Sequence, residues 1–210
     1  MEIEIPSGSV RLKGDLTNPP QAIGIVIFVH GSGSSRLSPR NQTVANHLNT
    51  IGFATLLFDL LTEEEELNRE NVFDIDLLSK RLIDVTRWVR SNPELKKLAI
   101  GYFGASTGAA AALVSAAELD IQISAVVSRG GRADLADQWL QRVNAPTLLI
   151  VGGDDQEVLD LNRQAQAHLR CENKLEVIPG ATHLFEEFGA LELVAELAGK
   201  WFLHHLRIND

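Results

Sequence analysis

The sequence predicts an α/β domain in which a mostly parallel sheet is covered by helices on both faces. Short apolar runs alternate with longer segments whose apolar residues recur at helical spacing, and the central runs are almost uniformly apolar. The first two runs instead alternate polar and apolar residues, so they predict an antiparallel edge. A length of 210 residues suits one domain covering positions 1–210 and allows a substantial core.

The first half of the chain contains four predicted strands and two predicted helices. Ser38 as N-cap and Pro39 at the first helical position begin a helix over Ser38–Asn49. Apolar residues at helical spacing predict a second helix over Asn71–Arg90. The acidic run Glu63–Glu66 between them predicts a solvated loop or the start of a helix. The four strands are predicted at Glu2–Ile5, Val10–Leu16, Ile23–Val29 and Phe53–Phe58.

The second half continues the alternation of strands and helices. Strands are predicted at Leu98–Phe103, Ile123–Ser128, Thr147–Val151 and Leu175–Ile178. Helices are predicted at Thr107–Glu118, which is rich in alanine, and at Val158–Leu169 and Leu191–Leu206. Only 17 residues separate Ser128 from Pro146, so no lid domain is expected there. In such a sheet, ligands lie beyond the carboxyl ends of the strands.

Composition and charge disfavour several classes of protein, among them nucleic-acid-binding, membrane-spanning and disulfide-bonded proteins. A net charge of −9 and a pI of about 5.1 disfavour binding to nucleic acid or to an anionic membrane surface. The N-terminus lacks the pattern of a signal peptide, and the apolar runs are too short to span a bilayer. Cys171 is the only cysteine, so no internal disulfide forms, and we interpret it as a packed or half-exposed thiol rather than a nucleophile. These features predict a cytoplasmic protein.

The segment Gly104–Gly108 has the pattern G-x-S-x-G between a predicted strand and a predicted helix. The sharp turn from strand to helix leaves no room for side chains two residues before and after the nucleophile, and glycines meet that need. Ser106 is then exposed at the helix N-terminus, where backbone N–H groups favour a developing negative charge. The pattern predicts that Ser106 is a catalytic nucleophile.

A serine nucleophile needs a base, and the base needs an anionic partner. His183 follows the last predicted strand and lies at the same sheet edge as Ser106, and its near-neutral pKa suits proton transfer. Asp154 and Asp155 follow the strand Thr147–Val151 and complete the order Ser, Asp, His. We prefer Asp155 as the third member, with Asp154 and then Asp134 as alternatives.

The loop after the strand Ile23–Val29 is rich in glycine and serine. We expect one oxyanion donor to be the backbone N–H of Ser32, or else of Gly33, and the other to be that of Thr107. His30 is interpreted as a brace for this loop. A dinucleotide-binding fingerprint would need glycine at position 36, where the chain has Arg36.

These motifs together resemble the α/β-hydrolase superfamily over essentially the whole chain. The short length and the turn over Gly152–Val158 resemble its dienelactone-hydrolase-like branch. The stretches His30–Arg40 and Ser128–Arg132 are similar to hydrolase-like proteins sometimes found joined to phosphoribosyltransferases. The resemblance implies the α/β-hydrolase fold and the catalytic roles above. Dienelactone hydrolases proper carry a cysteine nucleophile, so Ser106 is a departure that puts the lactone substrate in doubt.

Four arginines lie near the predicted catalytic edge despite the acidic composition: Arg36, Arg40, Arg129 and Arg132. One interpretation is a clamp for a carboxylate or phosphate on the substrate, formed above all by Arg36, Arg129 and Arg132. The other is ion pairing with neighbouring aspartates, namely Asp59, Asp134 or Asp155, which would hold the loops in place. The sequence does not choose between them.

The sequence therefore predicts a serine hydrolase that cleaves a carboxylic ester or lactone of a small soluble substrate through an acyl-enzyme. The chemistry needs neither cofactor nor metal, and the expected partner is an ester that is anionic if the arginines form a clamp. The alternatives are a non-catalytic binding module with this fold, an acyltransferase and a thioester hydrolase. The oligomeric state is not predicted.

Overall fold

The computed structural model describes residues 1–206, and its centre is one eight-stranded sheet. The strand order is β1-β2-β4-β3-β5-β6-β7-β8. Strands β1 and β2 pair antiparallel with each other, β2 pairs antiparallel with β4, and the remaining pairs are parallel. The strands are β1 Glu2–Ser7, β2 Val10–Thr17, β3 Ile25–Val29, β4 Ala54–Phe58, β5 Ile100–Ala105, β6 Ala125–Arg129, β7 Thr147–Gly152 and β8 Asn173–Ile178. The predicted mostly parallel sheet with an antiparallel N-terminal edge is confirmed.

Helices cover both faces of this sheet, as predicted. They are α1 Pro39–Thr50, α2 Glu63–Glu66, α3 Arg69–Phe73, α4 Ile75–Ser91, α5 Thr107–Glu118, α6 Gln156–His168 and α7 Ala190–His205. Two large apolar clusters form most of the core: one contains residues of α4 and α5, and the other contains residues of α1 and α7. A small third cluster of Val151, Val158 and Leu159 lies between β7 and α6. The sheet lies between the two large clusters.

Strand β3 illustrates how the central strands divide between these clusters. All five of its residues are buried, but Ile25, Ile27 and Val29 contribute to the cluster beneath α4 and α5. Val26 and Phe28 point to the opposite face and pack in the cluster of α1 and α7. Successive side chains of the strand point to opposite faces of the sheet, and each face is covered by a core. The strand is therefore uniformly apolar.

The predicted helix over Asn71–Arg90 is wrong at its start, because the helix is interrupted at Asp74. The side chain of Asp74 accepts a hydrogen bond from the backbone N–H of Leu77 and caps α4, which begins at Ile75. Asn68 caps the separate short helix α3 in the same way, through the N–H of Glu70. Two capping side chains six residues apart thus divide the segment, and the acidic run forms one capped turn, α2.

Other differences are small. Strands β3, β5 and β6 begin two residues later than predicted. The interval before β7, for which no lid was expected, forms a 3₁₀ stretch over Ala133–Arg142 that packs beside α5 and α6 and is interrupted at Asp137, where φ is +38°. Within residues 1–206, every helix is too short or too polar to cross a bilayer.

Candidate active site

Ser106 stands alone between the end of β5 and the start of α5. Its backbone has φ +49° and ψ −123°, a conformation that is strained for a residue with a side chain. The neighbouring backbone holds it there: the Ser106 N–H donates to the carbonyl of Arg129 at 3.3 Å, and the Ser106 carbonyl accepts from the N–H of Arg132 at 3.0 Å. The strained turn leaves the serine between a strand end and a helix N-terminus.

Glycines allow three segments to meet at this turn. A Cβ at Gly108 would lie 2.2 Å from the carbonyl oxygen of Val29, and a Cβ at Gly104 would lie 2.5 Å from Cα of Ala109. Gly31 is also too close for a side chain, because its Cβ would lie 2.9 Å from Cβ of Ser106. Both the helix and the loop after β3 therefore contact the turn through backbone that has no space for a side chain.

His183 and Asp155 meet at the same sheet edge. Asp155 follows β7, His183 follows β8, and Nδ1 of the histidine lies 2.7 Å from Oδ2 of the aspartate. The carboxylate is half-buried, whereas the alternative Asp154 is exposed. The second alternative, Asp134, pairs with Arg132. Of the three aspartates considered, Asp155 is the one that contacts His183.

The His183 ring lies next to the end of β6, the strand whose last residue accepts the hydrogen bond from the Ser106 N–H. A Cβ at Gly130 would lie 3.5 Å from Cε1 of His183, and Gly130 directly follows the residue whose carbonyl accepts the Ser106 N–H. Among residues 1–206, no hydrogen bond joins the Ser106 hydroxyl to His183. Catalytic hydrogen bonds are often long in an unliganded site and tighten when substrate binds.

The predicted oxyanion donors lie together but are not both free. The backbone N–H of Ser32 donates to Oγ1 of Thr107 at 3.0 Å, so a side chain already occupies that donor. Thr107 is buried at the first position of α5, where backbone N–H groups have no intrahelical acceptor. The arrangement places two backbone N–H groups beside Ser106, one of which is satisfied by a neighbouring hydroxyl.

His30 braces the loop between β3 and α1, as interpreted from the sequence. Its Nε2 accepts a hydrogen bond from the backbone N–H of Leu60 at 3.0 Å, which requires the proton to be on Nδ1. Nδ1 then donates to the carbonyl of Gly31 at 3.0 Å. Burial lowers the pKa of His30 below its ordinary 6.5, so the neutral ring is the stable form.

The sequence model of the dienelactone hydrolase family matches residues 12–196. The chain belongs to the dienelactone hydrolase family. A crystal structure of a dienelactone hydrolase from Anabaena variabilis is similar to it, with a TM-score of 0.96, 55% identity and coverage of 99% of this chain and 98% of that one. The predicted α/β-hydrolase fold and the resemblance to this branch are confirmed, and both support a hydrolase.

Two curated groups of relatives carry other names. Proteins from two strains of Mycobacterium tuberculosis, named as phosphoribosyl transferases, are 60% identical over 205 residues, which is 98% of this chain and 46% of their length. The chain thus spans about half the length of these relatives. A peroxisomal succinyl-coenzyme A thioesterase of Mus musculus is 31% identical over 131 residues, which is 61% of this chain and 29% of that protein.

In this family member, a cleft of about 770 Å³ opens beside the loop that contacts Ser106. One wall is the loop that runs from His30 to Arg40, and the other is formed mainly by the segment between β4 and α4. The second wall includes Arg69, Val72 and Phe73, which sequence reasoning missed. The sequence did contain a signal for this wall. Asn68 and Asp74 are residues that commonly cap helices, and they mark a separate short helix in a segment where one long helix was predicted.

The four arginines have different surroundings. Arg36 lies outside the cleft and pairs with Asp59 at 2.7 Å, with Asp15 at 3.2 Å and with Glu2 at 3.3 Å.

Arg132 holds Asp134 through two hydrogen bonds, from Nε at 2.9 Å and from Nη2 at 2.8 Å. Arg40 lines the cleft and pairs with the exposed Glu186 at 3.3 Å. Arg129 is buried, and its guanidinium hydrogen-bonds to no residue of the described chain. The structure therefore does not bring Arg36, Arg129 and Arg132 together as one clamp, and two of them already have carboxylate partners.

Substituting Gly108 by alanine is expected to destabilise the protein by about 1–3 kcal/mol or to prevent folding, because the added Cβ overlaps two backbone carbonyls. Urea unfolding measures the loss. The control is Gly14→Ala, whose nearest side-chain atoms are 3.3 Å away and can shift. Equal stability of the two variants would contradict the close approach at the elbow.

The stability of the protein is expected to fall as the pH drops below about 6.5. Because the pKa of His30 is lowered in the folded state, the unfolded chain binds a proton first and becomes favoured. The variant His30→Asn should lose about 1–3 kcal/mol at neutral pH and show a weaker decline in acid. Urea unfolding between pH 5 and pH 8 tests this, with the exposed His168 changed to asparagine as control. An unchanged acid decline in His30→Asn would refute it.

Proposed function

We propose that this family member is a serine hydrolase that cleaves a carboxylic ester or lactone of a small soluble substrate through an acyl-enzyme. Ser106 is the nucleophile, His183 the general base and Asp155 the residue that orients it. The observation that carries the proposal is the strained Ser106 turn at the same sheet edge as the 2.7 Å His183–Asp155 hydrogen bond. The reaction uses side chains and needs neither metal nor cofactor.

The hydrogen bond from His183 to Asp155 determines which ring nitrogen is available for chemistry. With Nδ1 donating to the carboxylate, Nε2 carries a lone pair that takes the Ser106 proton as Oγ attacks the substrate carbonyl. The same proton passes to the leaving oxygen when the carbonyl–oxygen bond breaks. Water then attacks the acyl-enzyme, again losing its proton to Nε2, and the carboxylic acid leaves with Ser106 restored.

The backbone N–H groups of Thr107 and Ser32 are the proposed donors to the oxyanion. Thr107 supplies its N–H from the first turn of α5, where the helix dipole also favours negative charge. For the Ser32 N–H to act, the Thr107 hydroxyl that accepts its hydrogen bond turns away as the oxyanion forms.

Thioester hydrolysis is a second candidate, favoured by the 31% identity to the mouse thioesterase. The attack on a thioester carbonyl uses the same residues, and the thiolate is a better leaving group than an alkoxide. Matched oxygen and sulfur esters of one acyl group separate the candidates. A ratio of kcat/KM for the sulfur ester to that for the oxygen ester well above the ratio of their rates with hydroxide would favour the thioesterase.

Replacing Ser106 by alanine should lower kcat on any accepted ester by about 10⁴-fold or more and leave the fold intact. The variant should also lose labelling by a fluorophosphonate probe. Circular dichroism and urea unfolding provide the folding control. Full labelling of Ser106→Ala would assign the nucleophile to another residue, and absence of both labelling and turnover in the unaltered protein would favour a non-catalytic module.

Asp155→Asn should lower kcat far more than Asp154→Asn, because only Asp155 contacts His183. An asparagine at 155 stabilises the wrong tautomer, and the expected loss is on the order of 10²–10⁴-fold. The exposed Asp154 is the matched control, since it is the adjacent residue with the same side chain. Equal losses in the two variants would remove Asp155 from the proposed role.

A further inference from the structure

Three side chains of metal-binding type meet at the end of α7. His204 and His205 are the last two residues of that helix, and Glu172 directly precedes β8. One nitrogen of each imidazole and one carboxylate oxygen all lie within 4.8 Å of one another. Among residues 1–206, no other three histidine, cysteine or acidic side chains converge in this way. The cluster therefore joins the end of a helix to the turn before the edge strand of the sheet.

The cluster lies at the opposite edge of the sheet from Ser106. Its two histidines border a cleft of about 830 Å³ whose walls include Ala99, Ser124 and Pro146, the residues that precede β5, β6 and β7. These are the amino ends of parallel strands, whereas Ser106 follows the carboxyl end of β5. A ligand of the cluster would therefore take no direct part in the proposed hydrolysis.

His205 has a buried ring nitrogen that finds no hydrogen-bond partner within the described chain. The side chain is 9% exposed, and its Nε2 is shielded from solvent. An oxygen of the Glu172 carboxylate is 3.7 Å away, which is too far for a hydrogen bond. A shielded polar atom without a partner is unfavourable, and a cation between the nitrogen and the carboxylate would satisfy both.

The separation of these two atoms fits a shared metal ion. In a tetrahedral zinc site with Zn–N and Zn–O distances of about 2.0–2.1 Å, two ligand atoms lie about 3.3–3.4 Å apart. The distance from Nε2 of His205 to the carboxylate oxygen therefore needs to shorten by only a few tenths of an ångström. Glu172 and His204 are both exposed, so rotation of their side chains can bring the other two ligand atoms to the same point.

Packing already holds two of the three ligands in place. The His205 ring lies against Trp201, with the ring centres 4.5 Å apart, and the indole N–H of Trp201 donates to the carbonyl of Pro146 at 3.3 Å. The Glu172 carbonyl accepts a hydrogen bond from the N–H of Thr147 at 2.9 Å, which fixes its backbone against β7. Ligands that are held before the ion arrives lose less conformational entropy when it binds.

The electrostatic surroundings leave the Glu172 carboxylate available to a cation. Within the described chain, it pairs with no lysine or arginine. Arg90, which borders the same cleft, instead donates to the carbonyls of Lys96 and Leu98 at 3.0 Å and 2.6 Å. The last carbonyl groups of α7 have no N–H donor within the helix, and the helix dipole places negative charge at this end.

We propose that Glu172, His204 and His205 bind a divalent transition-metal ion, Zn²⁺ above all, that fastens the end of α7 to the turn before β8. Two imidazole nitrogens and one carboxylate oxygen suit a tetrahedral zinc site with water in the fourth position. Magnesium and calcium prefer sites made of oxygen ligands. Because the three side chains are brought together only by folding, the ion would stabilise the folded chain. The inference does not depend on the proposed hydrolysis.

Calorimetric titration of the metal-free full chain with Zn²⁺ tests the site directly. One equivalent should bind, and Glu172→Gln and His204→Gln should each weaken the affinity by at least about 10-fold, the loss that even indirect partners of a metal ligand cause. Both side chains are exposed, so both variants should fold as the unaltered protein does. Unaltered affinity in both variants, or no one-to-one binding to the unaltered protein, would overturn the proposal.

Two control variants separate this site from other histidines. His168→Gln removes an exposed histidine in the last turn of α6, outside the cluster, so it should bind Zn²⁺ as the unaltered protein does. His183→Ala removes the histidine that pairs with Asp155, which a metal ion can also bind, and it should keep the same equivalent. A loss of affinity in either control as large as that in Glu172→Gln would place the ion elsewhere and refute the cluster as its site.

Cobalt binding and thermal unfolding provide independent measurements. Co²⁺ in a four-coordinate site absorbs visible light more strongly than the hydrated ion, so Co²⁺ should produce such bands and Zn²⁺ should remove them. At about 100 times its Kd, Zn²⁺ should raise the Tm of the unaltered protein by about 5–10 °C and that of Glu172→Gln much less. An equal rise in the variant, or an equal rise with Mg²⁺, would overturn the proposal in favour of a general ionic effect.

Discussion

The left-handed backbone of Ser106 is the constraint on which the arrangement of the site depends. One residue must join β5 to α5 and hold φ at +49°, and the surrounding backbone approaches so closely that Gly31, Gly104 and Gly108 leave no space for a Cβ. The loop after β3 and the end of β6 are thereby brought to the same point. The strain is confined to Ser106. The closely packed glycines and the two hydrogen bonds from Ser106 to Arg129 and Arg132 hold this residue in the strained conformation.

The sheet and the positions of Ser106, Asp155 and His183 could be predicted from the sequence because each depends on short-range patterns. Uniformly apolar runs identify strands that are buried on both faces, and polar residues directly after them lie at one edge by topology alone. The choice of Asp155 over Asp154 was a preference that a sequence cannot decide, since two adjacent side chains point in different directions from one turn. The structure places Asp155 against His183 and leaves Asp154 exposed.

The partners of the arginines could not be predicted, because they depend on contacts between residues far apart in the chain. Arg36 meets Asp59 and Asp15 across 23 and 21 positions, and nothing local distinguishes it from Arg129, which meets no carboxylate. The helix boundary at Asp74 is a different kind of error. Apolar residues recur at helical spacing on both sides of Asp74, so the periodicity predicted one continuous helix. The capping side chain of Asp74, which marks the start of α4, was not given enough weight.

The hydrogen bond from the Ser32 N–H to the Thr107 hydroxyl affects how differently the site binds the ground state and the transition state. An acceptor that enters the site exchanges one hydrogen bond for another, so a neutral carbonyl oxygen gains little by replacing the hydroxyl at 3.0 Å. A developing oxyanion forms a markedly stronger bond to the same donor than a neutral oxygen does. The internal acceptor therefore acts as a threshold: in the proposed reaction, only an oxygen that accepts more strongly than the hydroxyl gains by displacing it, so the Ser32 N–H favours the tetrahedral intermediate over the bound substrate, which is the difference that raises kcat.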